Sequence, residues 1–219
     1  SSAASDVYKR QEYIHVEKPD QEAVPSRQFD ISKIDFELLS REFAHTRRKN
    51  LLLRDLDELV NQQLAKMLFA NPQRIDYYDR YQEIIDAYNA EQNRATIEKT
   101  FMDLMELASS LDTEQQRYVR EGFSSDEELS VYDLLFSENL TKQEIETIKK
   151  VSVDLLIKIK QQIAKLDHWT DKQETKAIVD NLIRNTLWQE LPNSYDVSDI
   201  QTYQKKIYEY VYMRYPEVA

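Results

Sequence analysis

Residues 141–166 have the sequence TKQEIETIKKVSVDLLIKIKQQIAKL, and this stretch decides the fold class. Its apolar residues recur at steps of three and four, the period of an α-helix with one buried face. They are Ile145, Ile148, Val151, Leu155, Ile159 and Ile163. Thr141 and Glu144 have the spacing of a capping box, in which each side chain bonds the other's backbone N–H at a helix start. The stretch therefore predicts a long helix over residues 142–166.

The same period recurs along most of the chain from about residue 31 onward. Before the long helix, we predict helices around residues 31–43, 49–69, 71–88, 95–111 and 113–121, and one that begins after Ser125. After it, we predict one helix around residues 177–187 and a last one over 198–214. The expected fold is all-α, an irregular multi-helix bundle of eight or nine helices.

Other local signals mark where helices begin and end. Asn71-Pro72 pairs a favoured capping residue with a proline at the first helical position. Ser125 with Glu128, and Thr170 with Gln173, also have the spacing of a capping box. The only glycine, Gly122, follows a predicted helix. Because glycine adopts the left-handed conformation at little cost, we predict that Gly122 is a C-terminal cap.

The length of 219 residues suits one main domain with a substantial core. Residues 1–28 show no sustained period and contain Pro19 and Pro25. We predict a tail or linker there, of which residues 1–10 are compatible with an added terminal sequence. The helical domain is predicted over residues 29–219.

Composition excludes several classes of function. One glycine is too few for a phosphate-binding loop, and the lack of cysteine excludes disulfides and thiolate metal sites. The net charge of −11 disfavours the chain as a whole for tracking nucleic-acid phosphates, so a protein partner is the first expectation. No apolar run approaches the roughly 20 residues of a membrane span, and no signal peptide is recognisable. We expect a cytoplasmic protein.

Candidate catalytic groups are weak. Asp103 and Glu106 share a helix face, but a dinuclear carboxylate site needs Glu-x-x-His steps, and none of the three histidines occurs in one. Pro19-Asp20 and Glu174-x-Lys176 match the parts of a nuclease motif, yet they are far apart and the second falls inside a predicted helix. We expect no catalytic residue, metal ligand or cofactor in this chain.

Two surface features are candidates for binding. The cluster Arg47-Arg48-Lys49 could contact DNA phosphates, although an isolated basic cluster is more often a solvated junction. By contrast, residues 101–140 contain ten Asp or Glu and two Arg, a net charge of −8 that would repel DNA.

The second feature is the tyrosine-rich last helix. If Ile200, Tyr203, Ile207 and Val211 pack inward, part of the tyrosine set remains outside as apolar surface with polar tips. Tyr208, Tyr212 and Tyr215 share one face, whereas Tyr210 points elsewhere. We predict partner binding by these four tyrosines.

The order of several short segments identifies a resemblance. IDFELL at residues 34–39, followed by NPQRIDYYDRYQEII at residues 71–85, resembles the C-terminal region of type I restriction endonuclease R subunits. The similarity continues through Leu140-Thr141-Lys142, Leu166-Asp167-His168-Trp169, Leu191-Pro192, Tyr195, Tyr203, Val211-Tyr212 and Tyr215. It covers most of the chain after residue 28, and its segments are structural signatures rather than catalytic motifs.

The resemblance implies a parent subunit that is an ATP-dependent type I site-specific deoxyribonuclease, with its nuclease, translocase, ATP and Mg²⁺ sites upstream. It also implies partners, namely the methyltransferase and specificity subunits of the complex and the upstream domains of the same subunit. The leading hypothesis is a non-catalytic assembly domain that docks the restriction subunit onto the methyltransferase–specificity core, with indirect contact to DNA. The alternative is a helical element that contacts DNA or lies along its path.

Overall fold

A computed structural model describes residues 34–91 and 93–216, and these residues are predominantly helical. They form α1 (Phe36–His45), α2 (Lys49–Ala70), a 3-10 turn (Pro72–Arg74), α3 (Ile75–Ala90), α4 (Arg94–Gln115), α5 (Arg117–Arg120), α6 (Asp126–Leu135), α7 (Lys142–Ile163), α8 (Gln173–Glu190) and α9 (Val197–Arg214). The described residues contain no strand, so the predicted all-α class and helix number are confirmed. The predicted tail over residues 1–28, with its Pro19-Asp20 pair, lies outside them.

The described residues divide into two compact units. The first contains the residues up to Leu68 together with Arg74–Gln116, and the second contains Phe69–Gln73 and the residues from Arg117 onward. Each unit has its own cluster of buried apolar side chains. The predicted domain boundary at residue 29 stays a prediction.

The first unit is centred on α2 and α4. Their inward side chains are essentially fully buried, including Val60, Leu64, Phe101, Leu104, Leu107, Ala108 and Leu111. α3 packs against α4. α1 contributes Phe43, whose ring stacks on that of Phe101 with centroids 3.6 Å apart. Such a pair stabilises by about 0.5–1.5 kcal/mol beyond its burial.

The start of α3 differs from its prediction. Asn71 accepts a hydrogen bond from the Gln73 backbone N–H at 3.1 Å, so it opens the 3-10 turn rather than the α-helix. Arg74 occupies the N-cap position of α3, and its Nε donates to Glu114 Oε1 at 3.0 Å. Both side chains are under 10% exposed, and pairing offsets part of the cost of burying their charges.

In the second unit, four helices pack together. α7 packs against α6 and α8, and α9 packs against α8 and α6. The predicted stripe of α7 is confirmed, because Ile148, Leu155 and Ile159 have no exposed surface. Burial of each such side chain contributes about 1.5–3 kcal/mol, so this stripe alone accounts for a large hydrophobic contribution.

The helix caps follow the local signals in part. Thr141 and Glu144 form the predicted capping box. Ser125 accepts from the Glu128 N–H as predicted, but the Glu128 side chain bonds the N–H of Ser124 instead of Ser125. The box predicted at Thr170 is wrong.

That error arises where α7 ends. This helix stops at Ile163 instead of residue 166, and the following turns place His168 at φ 44°. The chain then needs several more residues before helical geometry resumes. α8 consequently begins at Gln173, with Lys172 at its N-cap and no side-chain cap.

Gly122 has φ +85°, as its predicted capping role requires. The Phe123 N–H donates to the Tyr118 carbonyl at 2.8 Å, and the Gly122 N–H donates to the Val119 carbonyl at 3.1 Å. This pair of bonds is the Schellman motif, which satisfies carbonyl groups at a helix end. Phe123, just after the glycine, is buried.

Candidate functional site

The inward face of α9 is wider than predicted. Ile200, Ile207 and Val211 are buried and Tyr203 is half-buried, as expected. Tyr210 is only 2% exposed and belongs to the core of the second unit. The reason is helical geometry, because Tyr210 follows Ile207 by three residues and therefore shares its face. Its ring does not contribute to the surface of the described structure.

Tyr208 and Tyr212 form an aromatic platform together with Trp169. The rings of both tyrosines meet the indole nearly at right angles, with centroids 6.2 Å away for Tyr208 and 5.7 Å for Tyr212. The two tyrosine rings lie 6.2 Å from each other. Edge-to-face contacts of this kind are favourable because the edge of one ring is positive and the face of another is negative.

Trp169 is the fixed part of the platform. It is 1% exposed, and its Nε1 donates to the backbone carbonyl of Tyr215 at 2.6 Å. Its own carbonyl accepts from the Thr175 hydroxyl at 2.7 Å. The indole is thus held between the turn before α8 and the end of α9, so the tyrosines rest on a rigid base.

The platform presents a partly apolar surface. Tyr212 is 37% exposed. Lys176 Nζ lies 5.6 Å from the Tyr212 ring centroid, close enough for a cation–π contact. Burial, with help from the Asp180 carboxylate, raises the pKa of Tyr208. A tyrosine hydroxyl is protonated at neutral pH even at its ordinary pKa, so Tyr208 can donate a hydrogen bond.

Tyr215 does not continue this surface. It follows the last residue of α9, and its ring packs against Tyr210 at 6.3 Å, with Lys160 Nζ 5.3 Å from its centroid. Burial raises the pKa of Tyr215. Of the four tyrosines predicted as partner-binding residues, the structure brings Tyr208 and Tyr212 together and separates Tyr210 and Tyr215 from them.

The first unit contains a different candidate, which we call the basic cavity. It is an open concavity of about 610 Å³, lined by Thr46, Arg47, Arg48, Lys49, Asn50, Leu51 and Arg94. The predicted cluster Arg47-Arg48-Lys49 is therefore joined by a cation from the start of α4. Arg47 and Arg48 are exposed, whereas Lys49 is partly buried.

One carboxylate partly neutralises the basic cavity. Glu98 Oε1 accepts from Lys49 Nζ at 2.7 Å and from Arg94 Nε at 3.2 Å. These bonds, with that from Lys49 the stronger influence, lower the pKa of Glu98. Lys49 Nζ also lies 4.8 Å from the ring centroid of Phe43, which ties the cavity wall to the core of the first unit.

Two important residues were missed by the sequence analysis. Arg94 lines the basic cavity and bonds Glu98, which also bonds Lys49. Lys49 and Glu98 are 49 residues apart, and no local pattern indicates a contact between them. Trp169 was named only in the segment Leu166-Asp167-His168-Trp169, without a role at a binding surface. A large aromatic residue in a short turn between two amphipathic helices was the available signal.

The rejected catalytic candidates among the described residues lie on helices. Glu106 pairs with Arg80 at 2.9 Å, and Glu174 and Lys176 lie within α8. Among residues 34–91 and 93–216, no group of three or more His, Cys, Asp or Glu could hold a metal ion. No helix in that part of the chain is long and apolar enough to span a membrane.

The fold and these surfaces define the class of protein, an all-α domain with an aromatic face on one unit and a basic concavity on the other. Over residues 22–215, the chain matches the family described as "Type I restriction enzyme HindI endonuclease subunit-like, C-terminal". The chain belongs to this family. The match begins inside the segment predicted as a tail. Comparison with curated proteins and with solved structures gave no match.

Proposed function

We propose that this domain is a non-catalytic assembly domain that docks the restriction subunit onto the methyltransferase–specificity core of a type I restriction enzyme. The family consists of restriction enzyme subunits, and such a subunit functions within a larger complex. DNA cleavage and translocation, with ATP and Mg²⁺, are proposed for other domains of the subunit.

The aromatic platform is the observation that carries this proposal. Tyr208 and Tyr212 rest on a buried indole, so they lose little conformational freedom when a partner covers them. Tyr212 is 37% exposed, so a partner can reach its ring. Rigid tyrosines with a polar tip are typical of the few residues that dominate binding energy at protein interfaces.

Replacement of Tyr212 by Ala tests the proposal. We expect binding to the purified methyltransferase–specificity core to weaken by at least about tenfold, a value in the range of interface hot spots. Isothermal calorimetry measures the affinity, and circular dichroism measures the melting temperature of the same preparation.

Tyr203→Ala is the matched control, since Tyr203 lies on the same helix and packs its ring 5.5 Å from that of Tyr195. This variant should lose stability but keep its affinity for the core. If Tyr212→Ala retains full affinity, the platform is not the docking surface. Equal losses in both variants would mean that general destabilisation of α9 explains the effect.

A further inference from the structure

We propose that the basic cavity binds phosphate groups of a nucleic-acid backbone, a function distinct from docking. The lining of the cavity contains four Lys or Arg and no Asp or Glu, in a chain whose net charge is −11. Positive charge is therefore concentrated at one place in the first unit. A local basic surface can contact a polyanion even when the protein as a whole is acidic, because charges beyond roughly 10 Å are screened at moderate salt.

The ion pairs show which cations remain available. Arg41 pairs with Glu37, and Arg54 lies 3.6 Å from Asp55. Lys49 and Arg94 share the single carboxylate of Glu98. Within the described residues, no carboxylate pairs with Arg47 or Arg48. The cavity thus has four cationic side chains and one carboxylate bonded to two of them. This leaves an excess of positive charge among the described residues.

The N-terminus of α2, at the same place, also favours a bound anion. The Arg48 carbonyl accepts the bond from the Leu52 N–H, which puts Arg48 in the capping position of α2, where a cationic side chain cannot accept a bond from N–H groups. The first turn of α2 contains no acidic residue. Cations at a helix N-terminus are unfavourable because the helix dipole is positive there. A bound anion would reverse this cost and give the guanidinium groups a partner.

The lining identifies the kind of anion. Two exposed guanidinium groups suit phosphate oxygens, since each offers N–H donors in a planar fork. The remaining lining residues, Thr46, Asn50 and Leu51, include no aromatic ring on which a base could stack. An open concavity with these groups fits contact with a repeating phosphate backbone without sequence readout.

The test is fluorescence anisotropy of the full chain with a labelled DNA duplex of about 20 base pairs and mixed sequence, at several salt concentrations. The test variant is Arg47→Ser with Arg48→Ser. The matched control is Arg41→Ser with Arg54→Ser, which changes the net charge equally but removes cations that do not line the cavity.

We expect the test variant to bind at least about tenfold more weakly at low salt, and the slope of log affinity against log salt to fall in magnitude by about 2, one phosphate contact for each arginine. The control should stay within about twofold of the unchanged protein. Equal losses in both variants, or no binding by the unchanged protein, would overturn the proposal. Poly-glutamate binding as tightly as the duplex would assign the cavity to acidic peptides instead.

The result is separable from the docking proposal. The substituted arginines belong to the first unit, whereas the aromatic platform belongs to the second. The Arg47→Ser and Arg48→Ser variant should therefore keep its affinity for the methyltransferase–specificity core. Loss of core binding by this variant, with DNA binding unchanged, would overturn the assignment of the cavity to nucleic acid.

Discussion

Asp57 and Tyr81 form a half-buried polar contact in the first unit. The Tyr81 hydroxyl donates to Asp57 Oδ1 at 2.8 Å, and Asn61 Nδ2 donates to the same hydroxyl oxygen at 3.3 Å. Burial raises the pKa of Asp57 and outweighs the opposing effect of the Tyr81 bond, while Glu58 raises it further. The folded protein consequently holds the Asp57 proton more tightly than the unfolded chain does.

This difference in pKa between the folded and unfolded states makes the free energy of unfolding depend on pH. As pH rises from 3.8, the ordinary value, through the raised folded pKa, the unfolded chain loses the proton first, so the free energy of unfolding falls. Above the folded pKa the deficit is constant. Asp57→Asn removes the charge and keeps an oxygen that accepts from Tyr81, so we expect a higher urea midpoint than the unchanged protein at pH 7.

The advantage of Asp57→Asn should shrink as the pH is lowered toward 4. Glu83→Gln is the control, because it removes one negative charge from an exposed position on α3. It should change the midpoint little at any pH. A lower midpoint for Asp57→Asn across the whole pH range would show that the Tyr81 bond to the charged carboxylate outweighs the cost of burial.

Residue roles were predictable where their cause is local. Gly122 and the Thr141–Glu144 box depend on neighbours within a few residues, and both are confirmed. The buried Arg74–Glu114 pair joins residues 40 apart and has no local signature. The burial of Tyr210 was not predicted, because helical position shows which residues share a face but leaves the width of the buried stripe undetermined.

The start of α8 has no side-chain cap. Lys172 occupies its N-cap position with φ −107° and ψ 140°, an extended conformation that suits a capping residue. The lysine side chain cannot accept a bond from the free N–H groups of the first turn, and its charge opposes the positive end of the helix dipole. The Thr175 hydroxyl is already occupied by the carbonyls of Trp169 and Lys172.

Lys172→Asp should therefore stabilise the protein. Adding a capping carboxylate in suitable backbone geometry contributes about 1 kcal/mol, which raises the melting temperature of a domain of this size by about 2–4 °C. Thermal unfolding followed by circular dichroism measures the change. Thr141→Ala, which removes half of an existing capping box, should lower stability by a similar amount.

Lys165→Asp controls for charge, since it makes the same charge change at an exposed residue of the turn after α7. If it raises the melting temperature as much as Lys172→Asp, lower positive charge near the turn is responsible and the capping argument fails. The comparison also tests why the boundary of α8 was misplaced. The sequence contains a capping-box pattern at Thr170, but the backbone of the turn puts the cap two residues later.

At the scale of the whole molecule, the two hydrophobic clusters have no buried residue in common. The sequence predicted the all-α class and nearly every helix because amphipathic period is a local property. It did not predict two units, since the assignment of helices to a core depends on contacts between distant segments. α3 and α4 look no different in their periodicity from α7 and α8, yet they belong to different cores.

The separate cores predict unfolding transitions that differ between probes. Both tryptophans, Trp169 and Trp188, lie in the second unit, so their fluorescence reports that unit, whereas far-ultraviolet circular dichroism reports helices in both. Phe101→Ala removes a side chain with no exposed surface from the first core and should cost about 3–5 kcal/mol. We expect an earlier transition in the dichroism signal of this variant, with the fluorescence midpoint little changed.

Ile159→Ala provides the complementary variant, because Ile159 is fully buried in the second core. Its fluorescence midpoint should fall by an amount that corresponds to about 2–5 kcal/mol. If Phe101→Ala instead lowers both signals together, the protein unfolds as one cooperative unit in spite of its two clusters. Coincident transitions would then mean that substitutions near the basic cavity must be checked for effects on the aromatic platform.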